Sequence, residues 1–125
     1  METTDERPIK QPGLDHPITI EPSARVRVGV GDAVVADSER TLILREQGYE
    51  PVYYFPPEDV DFSLLEPTEH RTYCPYKGDA GYYSIPAGGE RSLNAAWQYR
   101  DAFPWVGEIS GYLAFYPNRV DSIDD

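Results

Sequence analysis

The chain has 125 residues, 22 acidic against 11 basic side chains, a formal charge of −11, one cysteine and two histidines. That length fits one domain burying roughly two-thirds of the surface its unfolded form exposes. No Lys/Arg cluster could track a phosphate backbone, so nucleic acid and anionic membrane are not expected partners, and no run nears the roughly 18 apolar residues that span a bilayer.

Residues 1–23 carry Pro8, Pro12, Gly13, Pro17 and Pro22 among polar side chains and read as an extended proline-rich arm. Residues 24–125 read as one β domain, because short β-branched and aromatic runs alternate there with turn residues. Arg25 to Val30 alternates polar and apolar, and Gly31-Asp32 turns it into Ala33-Val34-Val35-Ala36, which predicts a hairpin. Thr41 to Arg45 predicts a third strand and Val52 to Phe55 a fourth, stopped by Pro56-Pro57. Asp59 to Glu66 is the one stretch that predicts a helical turn or two, limited by Pro67. Further strands are expected at 69–74, 80–85, 92–99 and 111–116, and the acidic tail from Asp121 reads as a solvated end. The expected fold is all-β: a rolled antiparallel sheet of about eight short strands with at most one short helix.

Reactive chemistry is most plausible at Cys74-Pro75-Tyr76-Lys77-Gly78, where the sole cysteine sits three positions from a lysine in a turn. A thiol is nucleophilic as thiolate, and a nearby ammonium favours that form. The same string also describes an ordinary turn, with proline fixing φ and glycine permitting φ > 0 on exit. On the strand ending at Cys74, period two puts His70, Thr72 and Cys74 on one face. Four residues of strand nevertheless separate His70 from Cys74 by about 13 Å, so a Cys-His dyad would need a bulge. His16, on the arm, could approach only through tertiary folding. One cysteine and two distant histidines supply no paired metal-ligand spacing, and one cysteine allows no internal disulfide, which makes a reducing cytoplasm the expected compartment.

Gly29 and Gly31 suit a hairpin turn better than a phosphate loop, and no serine lies in a G-x-S-x-G context. Asp37, Ser38 and Asp59 could act as acid, base or hydroxyl groups, yet each also sits where a turn or cap wants such a side chain. The ten tyrosines and two tryptophans are more than a thin core easily accepts, because a buried phenol wants a partner. Some should line a cleft, with Trp97 and Tyr99 on one strand face.

Five ordered motifs then resemble the domain of unknown function 427 family across residues 24–124. They are Val34-Val35-Ala36-Asp37-Ser38, Tyr53-Tyr54-Phe55-Pro56 with Asp59-Val60, Thr72 to Gly78, Asn94 to Tyr99, and Ala114-Phe115-Tyr116 with Arg119-Val120-Asp121. The resemblance implies a small cytoplasmic β domain similar to the β-tent folds of methionine sulfoxide reductase B and the thalidomide-binding domain of cereblon. Those relatives commonly hold a structural zinc between paired cysteines, which this chain does not have. It departs from the family pattern after Trp97-Gln98-Tyr99, where proline arrives only at Pro104. The family's polar positions, carried onto this chain, imply a pocket walled by Trp97 and Tyr99, with Ser38, Tyr54, Asp59, Thr72 and Tyr76 as ligand contacts. Cys74, Lys77 and Asp37 are the groups for any catalysis.

The leading expectation is a small organic ligand in this aromatic pocket, with Lys77 pairing with an anionic or carbonyl group. A peptide-binding interaction module is one alternative. The family's label as a nucleotidyltransferase gives another, which would need magnesium-holding carboxylates and a phosphate clamp. The sequence names no cofactor. An exposed sheet edge could pair with its twin as a homodimer or be capped by the arm.

Overall fold

In the computed structural model, which describes residues 7–124, the alternating valines of Val26–Val30 are buried while Arg27 between them is exposed. This period-two logic runs through ten strands. They are β1 (Ile18–Pro22), β2 (Val26–Val30), β3 (Ala33–Ser38), β4 (Leu42–Glu46), β5 (Val52–Tyr54), β6 (Glu66–Cys74), β7 (Gly78–Ser84), β8 (Ala96–Gln98), β9 (Leu113–Phe115) and β10 (Ser122–Asp124). They form three antiparallel sheets in the orders β1-β4-β5, β10-β2-β3 and β6-β7-β8-β9. The all-β class is therefore as expected, with the strands divided among three sheets.

Two strands lie where no regular element was anticipated. β1 falls in the segment read as an arm and pairs with β4 from Ile18↔Glu46 to Pro22↔Leu42. Ile18 and Ile20 alternate with Thr19 and Glu21 and pack against the core, and Pro22 ends the strand, so the prolines bracket it rather than prevent it. β10 falls in the acidic tail and pairs with β2, setting Ile123 opposite Val28. Burial of Ile123 against the core outweighs the tail's charge. Helical structure among the described residues consists of five 3₁₀ segments with no α-helix. The stretch from Asp59 to Glu66 is split between Pro57–Asp59 and Phe62–Leu64 because Val60 is extended at φ −112°. Asp61 caps the second piece by accepting from the Ser63 amide at 3.1 Å.

The four-stranded sheet carries a core cluster on each face. Along β9, Leu113 and Phe115 belong to a cluster with the valines of β2, whereas Ala114 between them belongs to a second cluster with Leu44, Tyr54, Tyr82 and Tyr99. All three β9 residues are buried. The β1-β4-β5 sheet is tied to the four-stranded sheet where Phe55 and Leu113 exchange both backbone hydrogen bonds, at 2.8 and 2.9 Å. This junction brings the end of β5 beside β8 and β9, and the site grows from it. No helix among the described residues is long and apolar enough to cross a membrane.

Candidate functional site

The turn joining β6 to β7 is held from several sides. The Lys77 amide donates to the Cys74 carbonyl at 3.1 Å, and Gly78 leaves the turn at φ 116°, a conformation that side chains with a Cβ rarely adopt. The Lys10 amide donates to Pro75 O at 2.9 Å, the Trp105 indole to Tyr76 O at 2.8 Å, and the Phe103 amide to Lys77 O at 3.0 Å. A turn fixed this way can aim a long side chain inward. Lys77 does so: its side chain is 9% exposed, and its Nζ lies 2.5 Å from Glu46 Oε1 and 3.8 Å from Cys74 Sγ.

Glu46 is the residue that the sequence reading missed. Its side chain is 7% exposed, and while one oxygen holds Lys77 the other lies 2.7 Å from His16 Nε2. The His16 ring in turn stacks on Tyr76 at 4.0 Å between centroids and 10° between planes. The available signal was period two, since Leu42, Leu44 and Glu46 point the same way along β4. A carboxylate in an inward register implies a buried cationic partner, and that partner is Lys77.

Above this ion pair lies a cavity of about 610 Å³ lined by Cys74, Lys77, Glu46, Tyr54, Trp97 and Tyr99, with Tyr82 and Tyr116 further along its wall. Trp97 packs at 4.5 Å on Tyr116 and edge-on to Tyr54 at 6.4 Å, and its indole N–H donates to the Tyr54 hydroxyl at 3.4 Å. The Tyr82 hydroxyl sits 3.3 Å from that of Tyr116 and 2.9 Å from Thr72 Oγ1. Tyr99 differs from the others: it is 8% exposed and lines the cavity, yet its hydroxyl has no hydrogen-bond partner among the described residues. Burial raises the pKa of Tyr54 and of Tyr99, with Cys74 and Glu46 adding in the same direction, so both phenols stay neutral and able to donate. Burial also pushes Tyr116 up, to about 12.

A family model described as a domain of unknown function (DUF427) matches residues 19–125. The chain belongs to that family. None of the curated proteins compared matches it. The DUF427 region contains Glu46, Cys74, Lys77 and the aromatic wall, whereas His16 lies before it.

Five of the ten expected site residues thus meet at one cavity of this DUF427 chain: Tyr54, Cys74, Lys77, Trp97 and Tyr99. The other five stand elsewhere. Asp37 accepts from Arg25 at 2.9 and 2.8 Å and lies 3.4 Å from Arg27, and the hydrogen bond from Arg25 holds its carboxyl below the usual range. Ser38 donates to Asp59 at 2.6 Å and accepts from the Arg40 amide at 2.9 Å. That bond, with Arg40 at 3.2 Å, lowers the Asp59 carboxyl. Ser38 and Asp59 thus brace the turn after β3 through Arg40, whereas Asp37 lies within β3 and pairs across the ladder with β2. Thr72 is exposed and reaches the cavity only through Tyr82, and Tyr76 faces His16. A bulge does interrupt β6 between Pro67 and Arg71, but His70 packs edge-on against Tyr82 at 4.5 Å, while Cys74 has Lys77 as its polar neighbour. No three His, Cys, Asp or Glu side chains gather as a metal-ligand set among the described residues.

Proposed function

We propose that this domain binds a small, planar, uncharged organic molecule in the aromatic cavity beside the Cys74–Gly78 turn, through a carbonyl or similar acceptor. The hydroxyl of Tyr99, which lines the cavity and bonds to no protein group among the described residues, carries the proposal. It is free to donate to a bound acceptor in place of water, a net gain of about 1 kcal/mol. The volume of about 610 Å³ suits a drug-sized molecule, and the faces of Trp97, Tyr82 and Tyr116 suit a flat ring. Charge argues for a neutral ligand. The Lys77 ammonium is already matched by Glu46, so a carboxylate would have to compete for it against a bonded partner. Toward an electrophilic ligand Cys74 is the nucleophile: the S–C bond forms as the ligand's polarised π bond breaks, the thiol proton passes to the ligand's heteroatom, and Lys77 lies 3.8 Å from the sulfur.

Tyr99→Phe tests the proposal. It removes a hydroxyl that makes no protein hydrogen bond, so the midpoint of chemical denaturation should stay unchanged or rise. Affinity for aromatic carbonyl fragments found by NMR screening should fall about tenfold. Unchanged affinity would contradict the assignment, and Cys74→Ser, which should still bind, separates binding from any covalent adduct seen by intact mass.

A further inference from the structure

Most arginines of this chain lie against a carboxylate. Among the described residues Arg71, Arg100 and Arg119 do not, and the first two line one cavity of about 510 Å³. Both guanidinium groups are fixed by neutral partners. The β6 bulge exposes the carbonyls of Thr68 and His70, and Arg71 Nη1 donates to them at 3.0 and 2.7 Å. Its other nitrogens are left without protein partners. Arg100 donates through Nε to Gln98 Oε1 at 3.3 Å and through Nη2 to the Tyr83 hydroxyl at 3.2 Å, leaving Nη1 free. Tyr83 and Gln98 are themselves bonded at 3.0 Å, and Gln98 is anchored on Gly111 O at 2.9 Å.

Register explains how the two arginines come to share a space. Arg71, Gly81 and Gln98 lie in one row across β6, β7 and β8. The Arg71 guanidinium lies over this row, its Nη1 at ordinary contact distance, 3.8 Å, from where a Cβ on Gly81 would stand. Asp79 also lines this cavity, but Arg7 holds it at 2.5 and 3.3 Å. Asp101 is the remaining carboxylate on the lining. The local balance is therefore cationic in a chain of formal charge −11, and distant charges are screened beyond about 8 Å at physiological salt.

We propose that this second cavity, beside the β6 bulge, binds a small ligand through a single oxyanion group, a carboxylate or a phosphate, gripped by Arg71 and Arg100. Planar guanidinium forks with unspent N–H groups match such oxygens in geometry as well as charge. Tyr82 borders both cavities, but the two sites differ in chemistry, one aromatic with its Lys77 matched by Glu46 and the other cationic.

The test titrates inorganic phosphate and, separately, succinate at constant ionic strength, following the Gly81 amide and the arginine Nε–H signals by NMR. Saturating shifts at Gly81, Arg71 and Arg100 in the millimolar range are expected with at least one of the two anions. Phosphate alone would identify a phosphate group, succinate alone a carboxylate. Arg71→Gln and Arg100→Gln should each weaken binding about tenfold, and Arg119→Gln should not. Because Arg71 also braces the bulge, Arg100→Gln, at an exposed side chain, keeps the test valid if Arg71→Gln perturbs the fold. Shifts that rise linearly and match those caused by chloride would overturn the proposal, as would saturable binding that survives Arg100→Gln.

Discussion

Lys77 keeps its ammonium almost out of water because Glu46 meets it at 2.5 Å. Removing one partner of such a pair leaves an uncompensated buried charge, at a cost of about 3 kcal/mol or more. Glu46→Gln should therefore lower stability by that amount in urea denaturation, and Glu46→Gln with Lys77→Met should cost clearly less than the two single changes summed. Additive losses would mean that the pair is not coupled. Asp59 supports a pH prediction. Its folded carboxyl is held below the ordinary value of 3.8 by Ser38 and Arg40, so between the two values the unfolded chain binds more protons. The contribution is then complete above the unfolded value and is lost as pH falls through the folded one. Stability measured from about pH 5 to about pH 2 should fall less steeply in Asp59→Asn than in the parent.

At the level of elements, the hairpin of β2 and β3, the strands β4 and β5 and the Cys74–Gly78 turn were legible because alternation and turn residues coincide there. Gly78 bears this out, with φ 116° at the exit of the turn. Gly78→Ala should destabilise the domain by about 1–2 kcal/mol and loosen Lys77, seen as faster amide exchange at Lys77 and Gly78. β1 was hidden by its flanking prolines and β10 by its charge, because local composition does not show that an edge of β4 or β2 lies ready to pair. In the site, the aromatic wall was legible from Trp97 and Tyr99 sharing a face. Glu46 could be found only by extending the inward register of β4, and His16 only through folding, which lays the arm across the turn. Removing residues 1–17 takes away the contacts of His16 with Glu46 and of Lys10 with Pro75 while keeping the whole of β1. Iodoacetamide should then label Cys74 several-fold faster in a protein whose β-sheet circular dichroism is unchanged.

For the whole molecule, the β1-β4-β5 sheet is tied to the four-stranded sheet at Phe55 and Leu113, and residues of the second core cluster (Leu44, Tyr54, Tyr82 and Tyr99) line the aromatic cavity between them. The same connectivity sets two cavities of unlike chemistry beside Tyr82 in a chain of formal charge −11. The most direct measurement is a titration of aromatic carbonyl fragments into the nitrogen-15 labelled protein, run in parallel on Val52→Trp, which fills the neutral cavity from its rim. Saturable shifts are expected at the Trp97 indole and at Tyr99, and they should disappear in Val52→Trp. Fragments that leave those signals still, or that bind the filled variant equally well, would contradict it.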